Sequence, residues 1–267
     1  HSVPWIFFAE SGQCGRCELL LENSFCTALA SVLSLPELYK CDGSIAQLFT
    51  PDEMRGRVSA VNGVFIGLFI AEGNIHEHSI HITNLDDKII EFVKSWFDMF
   101  NIEHSESTKI NKIGGTTRTV RGSSGVMSTF ITKLVGHGSE NKHVPDEAYT
   151  SNIDFMKGIL SGYISGDGYI SKNSIESSSA SPRLTEDISY LCSRIGVYTR
   201  IFKTQNKNNN VGTVHIKPSY RLSIRSTNGK IFSEQVTLLH DEKNNKMKAI
   251  VWKDRLDKVV HHNDVIL

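Results

Sequence analysis

Long apolar runs are missing from this 267-residue chain. The longest, counting its glycine, is Val64 to Ala71, far short of the roughly 20 residues that span a membrane. Proline is scarce (6) and glycine modest (20), which excludes collagen-like and wholly disordered readings at a normal apolar content. Cysteine is too sparse for a disulfide scaffold of this length, and the count of five is odd. That points to a reducing, intracellular compartment. The start, His1-Ser-Val-Pro-Trp5, has neither a basic n-region nor an apolar h-region, so no secretory signal is expected. The first residue is not Met, which suits a fragment or a processed piece. Three enzyme signatures are also absent: the P-loop, G-x-S-x-G and H-E-x-x-H, which speaks against a metabolic hydrolase.

Net charge is zero as well, with 29 basic and 29 acidic side chains. The average hides a gradient. Residues 1–60 carry 4 basic and 7 acidic groups, residues 61–150 carry 8 and 11, and residues 151–267 carry 17 and 11. A basic C-terminal half on a neutral chain suits a local polyanion site.

What is present is a repeat. Residues 63–73 read G-V-F-I-G-L-F-I-A-E-G and residues 158–168 read G-I-L-S-G-Y-I-S-G-D-G, 95 positions later. The offset holds onward without a gap: Ile75 maps to Ile170, Ser79-Ile80 to Ser174-Ile175, Val93 to Ile188 and Ile102 to Val197. Each unit reads as a helix, a strand with period-2 alternation, an amphipathic helix, polar strands and a last helix. In the first unit these fall at about 60–71, 78–83, 86–100, 107–122 (turning at Gly114-Gly115) and 126–135. In the second they fall at about 153–165, 174–179, 183–195, 198–206 with 213–226, and 229–239. The chain is therefore expected to be α+β, with an N-terminal extension at 1–60, halves at 61–150 and 151–250, and a tail at 251–267.

Small residues stand four apart on both leading helices: Gly63, Gly67 and Ala71, then Gly158, Gly162 and Gly166. Positions i and i+4 share a helix face. Glycine costs about 1 kcal/mol against alanine there, so a stripe of them calls for close approach of another backbone. The two stripes are expected to face one another across a pseudo-twofold axis. Glu72 and Asp167 then become neighbours, each followed by a glycine (Gly73, Gly168) that suits a left-handed helix stop. Carboxylates at helix C-termini are disfavoured by the dipole and by each other. Divalent cations relieve both, and Mg²⁺ suits carboxylate and carbonyl oxygens.

F-I-G-L-F-I-A-E-G at 65–73 and L-S-G-Y-I-S-G-D-G at 160–168 resemble the paired motifs of LAGLIDADG homing endonucleases in their single-chain form. Residues 60–250 are similar to the endonuclease domain found inside inteins, and Asn141-Lys-His-Val-Pro145 resembles the lysine block of that group. The resemblance implies two αββαββα halves whose saddle-shaped antiparallel sheets lie along double-stranded DNA. It implies a monomer that makes a staggered double-strand break with two or three divalent ions. Glu72 and Asp167, with the carbonyls of Ala71 and Gly166, are the implied metal ligands. A lysine from each half is implied beside them: Lys142 in the first, and Lys246 in the second with Lys243 as fallback. Ile70 and Ser165 depart from the first aspartate of the family motif, a position that does not bind metal. A non-cutting DNA-binding relative, or a maturase-like one that binds RNA, is the alternative. Inteins begin with Cys or Ser and end in His-Asn before Cys, Ser or Thr. Here residue 1 is His and His262-Asn263 precedes Asp264, so the splicing domains are expected to lie outside this piece.

Strand alternation nominates groove-facing side chains. In the first half these are Asn74, His81, Lys109, Asn111, Lys112, Thr117, Arg118 and Arg121. In the second they are Lys172, Asn173, Glu176, Ser178, Arg200, Lys203, Gln205, Lys207, Lys217, Arg221 and Arg225. Four thiols, Cys14, Cys17, Cys26 and Cys41, supply enough ligands for a structural Zn²⁺. Their spacing lacks a second C-x2-C pair, and Cys26 also fits an apolar helical face, so zinc is the weaker reading and core packing suffices for Cys26.

Overall fold

The computed structural model describes residues 53–110, 115–205 and 218–253. The first half runs α1 (Glu53–Glu72), β1 (Gly73–His76), β2 (Ser79–Thr83), α2 (Asp87–Met99), β3 (His104–Ile110), β4 (Thr116–Ser123) and α3 (Gly125–Val135). A short 3-10 turn (Asp146–Tyr149) leads to the second half. That half runs α4 (Ile153–Asp167), β5 (Tyr169–Ile170), β6 (Ser174–Ser179), α5 (Pro182–Arg194), β7 (Arg200–Gln205), β8 (Pro218–Arg225) and α6 (Ser226–Gln235), followed by α7 (Asp241–Lys248). The expected α+β duplication and its αββαββα order are thus observed. The four thiols, together with Asn111, Lys112, Lys207 and Lys217, lie outside the described residues.

Both halves build an antiparallel four-stranded sheet with the same order, β1-β2-β4-β3 and β5-β6-β8-β7. The repeat is visible in its caps. Asp86 accepts from the Ile89 N–H and Ser181 from the Leu184 N–H, starting α2 and α5 at the 95-residue offset. Both helices end alike. Asn101 (φ 51°) and Gly196 (φ 74°) take the left-handed conformation. The Ile102 N–H then bonds the Phe97 carbonyl and the Val197 N–H the Cys192 carbonyl, closing a Schellman-type stop.

α2 buries Ile89, Ile90, Val93, Trp96 and Phe97 against its sheet. Trp96 stacks on Phe65 of α1 and its indole N–H donates to Asn62 Oδ1 at 2.9 Å. The motif helices differ from α2. From Phe155 to Ser165, α4 is buried at nearly every position, as a helix apolar all round should be. Its partner along the whole length is α1.

Two local readings change. α1 starts at Glu53, so a boundary at 60/61 falls inside it. Glu53-Met-Arg-Gly-Arg57 carries no apolar periodicity and hid that start. α6 ends at Gln235, short of the expected residue 239. Leu238 is buried, but it lies in a strap leading to α7.

Candidate functional site

The glycine stripes meet. A methyl built on Gly63 would collide with the Phe155 carbonyl and lie 3.1 Å from the Gly158 Cα. One built on Gly67 would meet the Ile159 carbonyl and, at 2.7 Å, the Tyr163 nitrogen. Gly158 faces Ala60 and Val64 in return, and Gly162 faces the backbone of Val64 and Leu68. α1 and α4 are therefore in backbone contact. At the bottom of the seam, a methyl on Gly166 would stand 3.0 Å from the Glu72 Cγ, so the two acid-bearing helix ends abut.

The glycines after the acids serve a different purpose from the one expected. Gly168 is extended (φ −72°, ψ 142°) and Gly73 has no positive φ. Neither is a left-handed stop. A side chain at Gly73 would strike the Phe69 ring and carbonyl, and one at Gly168 the Ile164 carbonyl. The chain turns straight from each acid into β1 or β5, and only glycine passes so close to the last helical turn.

Burial raises the pKa of both carboxyls. Glu72 is half-buried, and desolvation lifts its carboxyl above the usual range against the pull of Lys243 and Lys142. Asp167 is open to solvent along one side but crowded by the helix ends. Desolvation and then the Glu72 charge push it up to about 7. Stability alone would not select this pair.

A lysine from each half closes the seam. Lys142 is 8% exposed, and its ammonium donates to the Phe69 and Ile70 carbonyls at 2.9 Å each and the Gly73 carbonyl at 2.7 Å. The first two are carbonyls that a helix end leaves without partners, and the third opens β1. Burial brings its pKa down to about 8. In the second half the same position is held by Lys243. It donates to the Ser165 carbonyl at 2.7 Å and the Gly166 carbonyl at 2.5 Å, and burial lowers its pKa too. Lys246 is not at the site. It is exposed and pairs with Glu242 one turn back at 2.5 Å. The misplacement follows from the late helix end. Lys142 stands seven residues beyond Val135 and Lys243 eight beyond Gln235. Aligning Phe130–Leu134 with Phe232–Leu238 as helices selects Lys246 instead, because Leu238 lies beyond the helix end.

Three residues have positioning roles that the sequence does not announce. Ser165 Oγ accepts from the Leu239 and His240 N–H groups, and Ser161 Oγ donates to the Thr237 carbonyl at 2.6 Å. Together they pin the strap that carries Lys243. Asp187 accepts from the Val144 N–H at 3.0 Å and from the Tyr149 hydroxyl, pinning the strap that carries Lys142. Ser165 had a signal: it stands where the motif departs from its usual aspartate.

The sheets separate the remaining candidates by face. In the first sheet Asn74, His81, Arg121 and Ser105 lie in one cross-strand row, and Lys109 pairs with Thr117 on the same polar face. Arg118 is on the other face. It bonds Glu106 at 2.8 Å and Asp87 of α2, on the side of the sheet that packs against that helix. In the second sheet the row is Tyr169, Glu176, Ser223 and Arg200, with Ser178 opposite Arg221 and Ser174 opposite Arg225. Lys203 is on the other face, its ammonium 5.9 Å from the Tyr220 ring centroid. Gln205 pairs with Pro218 at the strand end. Lys172 and Asn173 are exposed in the β5–β6 turn.

The donor set suits Mg²⁺. Among the described residues no group of three or more His, Cys, Asp or Glu side chains converges. The site offers two carboxylates and helix-end carbonyls, which leaves coordination positions for water and phosphate oxygens, as Mg²⁺ prefers. The Ala71 carbonyl is not among those Lys142 engages, whereas the Gly166 carbonyl accepts from Lys243.

Fold and site together define an internally duplicated αββαββα protein with one carboxylate and one lysine from each copy at a shared helix seam. The chain belongs to the LAGLIDADG-like domain family, which matches residues 59–134 and 154–237. Among curated proteins it is similar to the DNA-directed RNA polymerase subunit Rpo1C of Methanocaldococcus jannaschii, with 25% identity over 76% of this chain and 22% of that protein. It is 28% identical to the replication factor C small subunit of the same organism, over 70% of this chain and 10% of that one. It is 24% identical to the ATP-dependent DNA helicase Hel308 of Thermococcus kodakarensis, over 72% and 18%. The chain thus spans about a fifth or less of these relatives. Among solved structures, the homing endonuclease I-DmoI in complex with DNA and Ca aligns with a TM-score of 0.49 at 14% identity, covering 67% of this chain and 89% of that one. Full-length DUF199/WhiA from Thermatoga maritima aligns at 0.48 and 10% identity, covering 77% and 63%. Among the described residues no helix is long and apolar enough to cross a membrane.

Proposed function

We propose that this chain is a site-specific, divalent-metal-dependent endonuclease that hydrolyses both strands of a long, nearly non-palindromic duplex. The observation that carries this reading is the abutment of Glu72 and Asp167 at the ends of two backbone-packed helices, each running directly into a polar sheet. Nothing in folding alone favours two crowded carboxyls, and a cation with phosphate oxygens completes the arrangement. Bound Mg²⁺ supplies Lewis-acid polarisation of a scissile phosphate and a water made more nucleophilic. The chain's own groups do the rest. Glu72 and Asp167 anchor and orient. Lys142 has its three N–H bonds committed to carbonyls, so it steadies the helix end and offsets negative charge. Lys243 commits two of its three and keeps one for a phosphate or leaving oxygen.

The two polar rows are chemically different: Asn74-His81-Arg121-Ser105 against Tyr169-Glu176-Ser223-Arg200. Two unlike surfaces suit a target whose half-sites differ. The matched stretch also recurs in an RNA polymerase subunit, a replication factor and a helicase. These are named for different activities, which fits an inserted element such as an intein endonuclease domain rather than part of any of their active sites.

The test is a plasmid carrying the uninterrupted host sequence, incubated with Mg²⁺. Wild type is expected to linearise it and Asp167→Asn to leave it intact. Binding without cleavage by wild type would instead make the chain a non-cutting relative. A salt titration then checks the face assignment. Arg121→Ala is expected to reduce the salt dependence of binding by about one phosphate contact, and Arg118→Ala to leave it unchanged. The reverse result would put the wrong face on the DNA.

A further inference from the structure

One constellation on the second sheet is not explained by folding or by the seam. Glu176 of β6 lies on the polar face between two arginines of β8. Its Oε1 is 3.0 Å from Arg225 Nη2 and its Oε2 is 4.0 Å from Arg221 Nη1. Ser174 Oγ also donates to Oε1 at 2.9 Å. Arg225 Nε donates to Ser223 Oγ at 3.0 Å. The carboxylate is mostly covered, its side chain 17% exposed, whereas the arginines are about half exposed, at 49% and 51%. The cations thus point outward from an anion seated in the sheet. Burial alone would raise the Glu176 pKa, and the contacts from Arg225, Ser174 and Arg221 together outweigh it and bring it below the ordinary value.

The equivalent site in the first half has another composition. His81 stands in the Glu176 position, Ser123 in that of Arg225 and Thr119 in that of Arg221. The duplicated scaffold therefore does not require the acid or its two partners. A lone surface ion pair adds little stability, and a carboxylate on a phosphate-binding face weakens general attraction for DNA. What it does provide is orientation. Arg225 has five N–H donors in a planar fork. Its Nε and one Nη hydrogen are tied to the protein, which leaves an outer edge able to form a bidentate contact. Guanine O6 and N7 are the major-groove acceptors that match such an edge.

We propose that Glu176 is a specificity-positioning residue that fixes Arg225 by a hydrogen bond and draws Arg221 by charge, so that the two read two guanines in the half-site under the second sheet. This rests on the endonuclease reading above. The two arginines are four residues apart on one strand, roughly 13 Å at about 3.3 Å per residue. That spacing corresponds to two guanines at most about four base pairs apart.

The test is selection of bound duplexes from a randomised DNA library by the full chain, in Ca²⁺ so that cutting does not bias recovery. Wild type is expected to return one half-site with two guanines at that spacing. Arg225→Lys, which keeps the charge but loses the fork, is expected to drop the guanine preference at one of them by roughly tenfold. Glu176→Gln is expected to relax both, with the other half-site unchanged in each case. Three results would overturn the proposal: selected sites without those guanines, an Arg225→Lys that weakens all sequences equally, or a Glu176→Gln that leaves selectivity intact. A cytosine lost with Glu176→Gln would also overturn it, making the acid the reader. If wild type selects no sequence at all, the endonuclease reading falls with it. Melting curves of both variants check that each is folded.

Discussion

Asp167→Asn is expected to abolish cleavage while making the protein more stable. The loss of activity follows from removing one of the two carboxylates at the seam among the described residues, and a fall of about a hundred- to a thousandfold is the scale for one preorganised electrostatic group. The gain in stability follows from the raised pKa. Asp167 is pushed up to about 7 by burial and by Glu72, so folding disfavours its ionised form. Below the ordinary value of 3.8 the carboxyl is protonated in both folded and unfolded chains, and the penalty vanishes. The penalty grows as pH rises from there to about 7 and is constant above. Because one side of Asp167 is open to solvent, screening reduces the effect to about 1 kcal/mol, or roughly 2–4 °C in a chain of this size. Wild type and Asp167→Asn should melt together at pH 4 and separate by pH 8, in metal-free buffer. Added Mg²⁺ should raise the melting temperature of wild type more than that of the variant. A variant less stable than wild type at pH 8 would contradict the crowding argument.

The second large effect is expected from one methyl group. Gly162→Ala places its Cβ against the Val64 carbonyl and 2.7 Å from the Leu68 nitrogen. Both are backbone atoms inside α1, so no rotamer change relieves the clash and the helices must move apart. Overpacking of this kind costs about 3 kcal/mol, a fall in melting temperature of roughly 6–12 °C. Activity should fall further than stability alone explains, because Gly162 lies one turn above the acids and spreading the seam separates them. Gly125→Ala is the control. The nearest atom there, on His78, is 3.6 Å away, and the position opens α3, so alanine should cost nothing or stabilise slightly. Equal losses at the two glycines would mean that α1 and α4 are not in backbone contact.

Much of this was legible in the sequence, for physical reasons that differ by element. The small-residue stripes were readable because a four-residue spacing fixes one helix face whatever surrounds it. The caps Asp86 and Ser181 are not picked out from the sequence, although each precedes an apolar period at the same offset. β1 and β5 were not read as strands; β5 has only two residues and is held by its neighbours, so it carries no period of its own. α7 was missed because Asp241–Lys248 has almost no apolar content and buries only Met247. Lys246 was preferred over Lys243 because Leu238 and Leu239 continue an apparent helical pattern that the strap in fact buries. That Arg118 and Lys203 lie on the opposite face from the other candidates follows from strand parity alone. Arg118 is one residue from Thr117 and three from Arg121, and Lys203 is three from Arg200. Odd separations on a strand put side chains on opposite faces.

A double-mutant cycle on Glu72 and Asp167 probes the abutting helix ends without DNA, metal or a known target. Thermal unfolding at pH 8 would be measured for wild type, Glu72→Gln, Asp167→Asn and the double variant. The double variant is expected to gain less than the sum of the two single variants, with a coupling of about 0.5 kcal/mol between the carboxylates. Gains that simply add would mean that the two carboxylates do not sense each other, and would contradict the shared site.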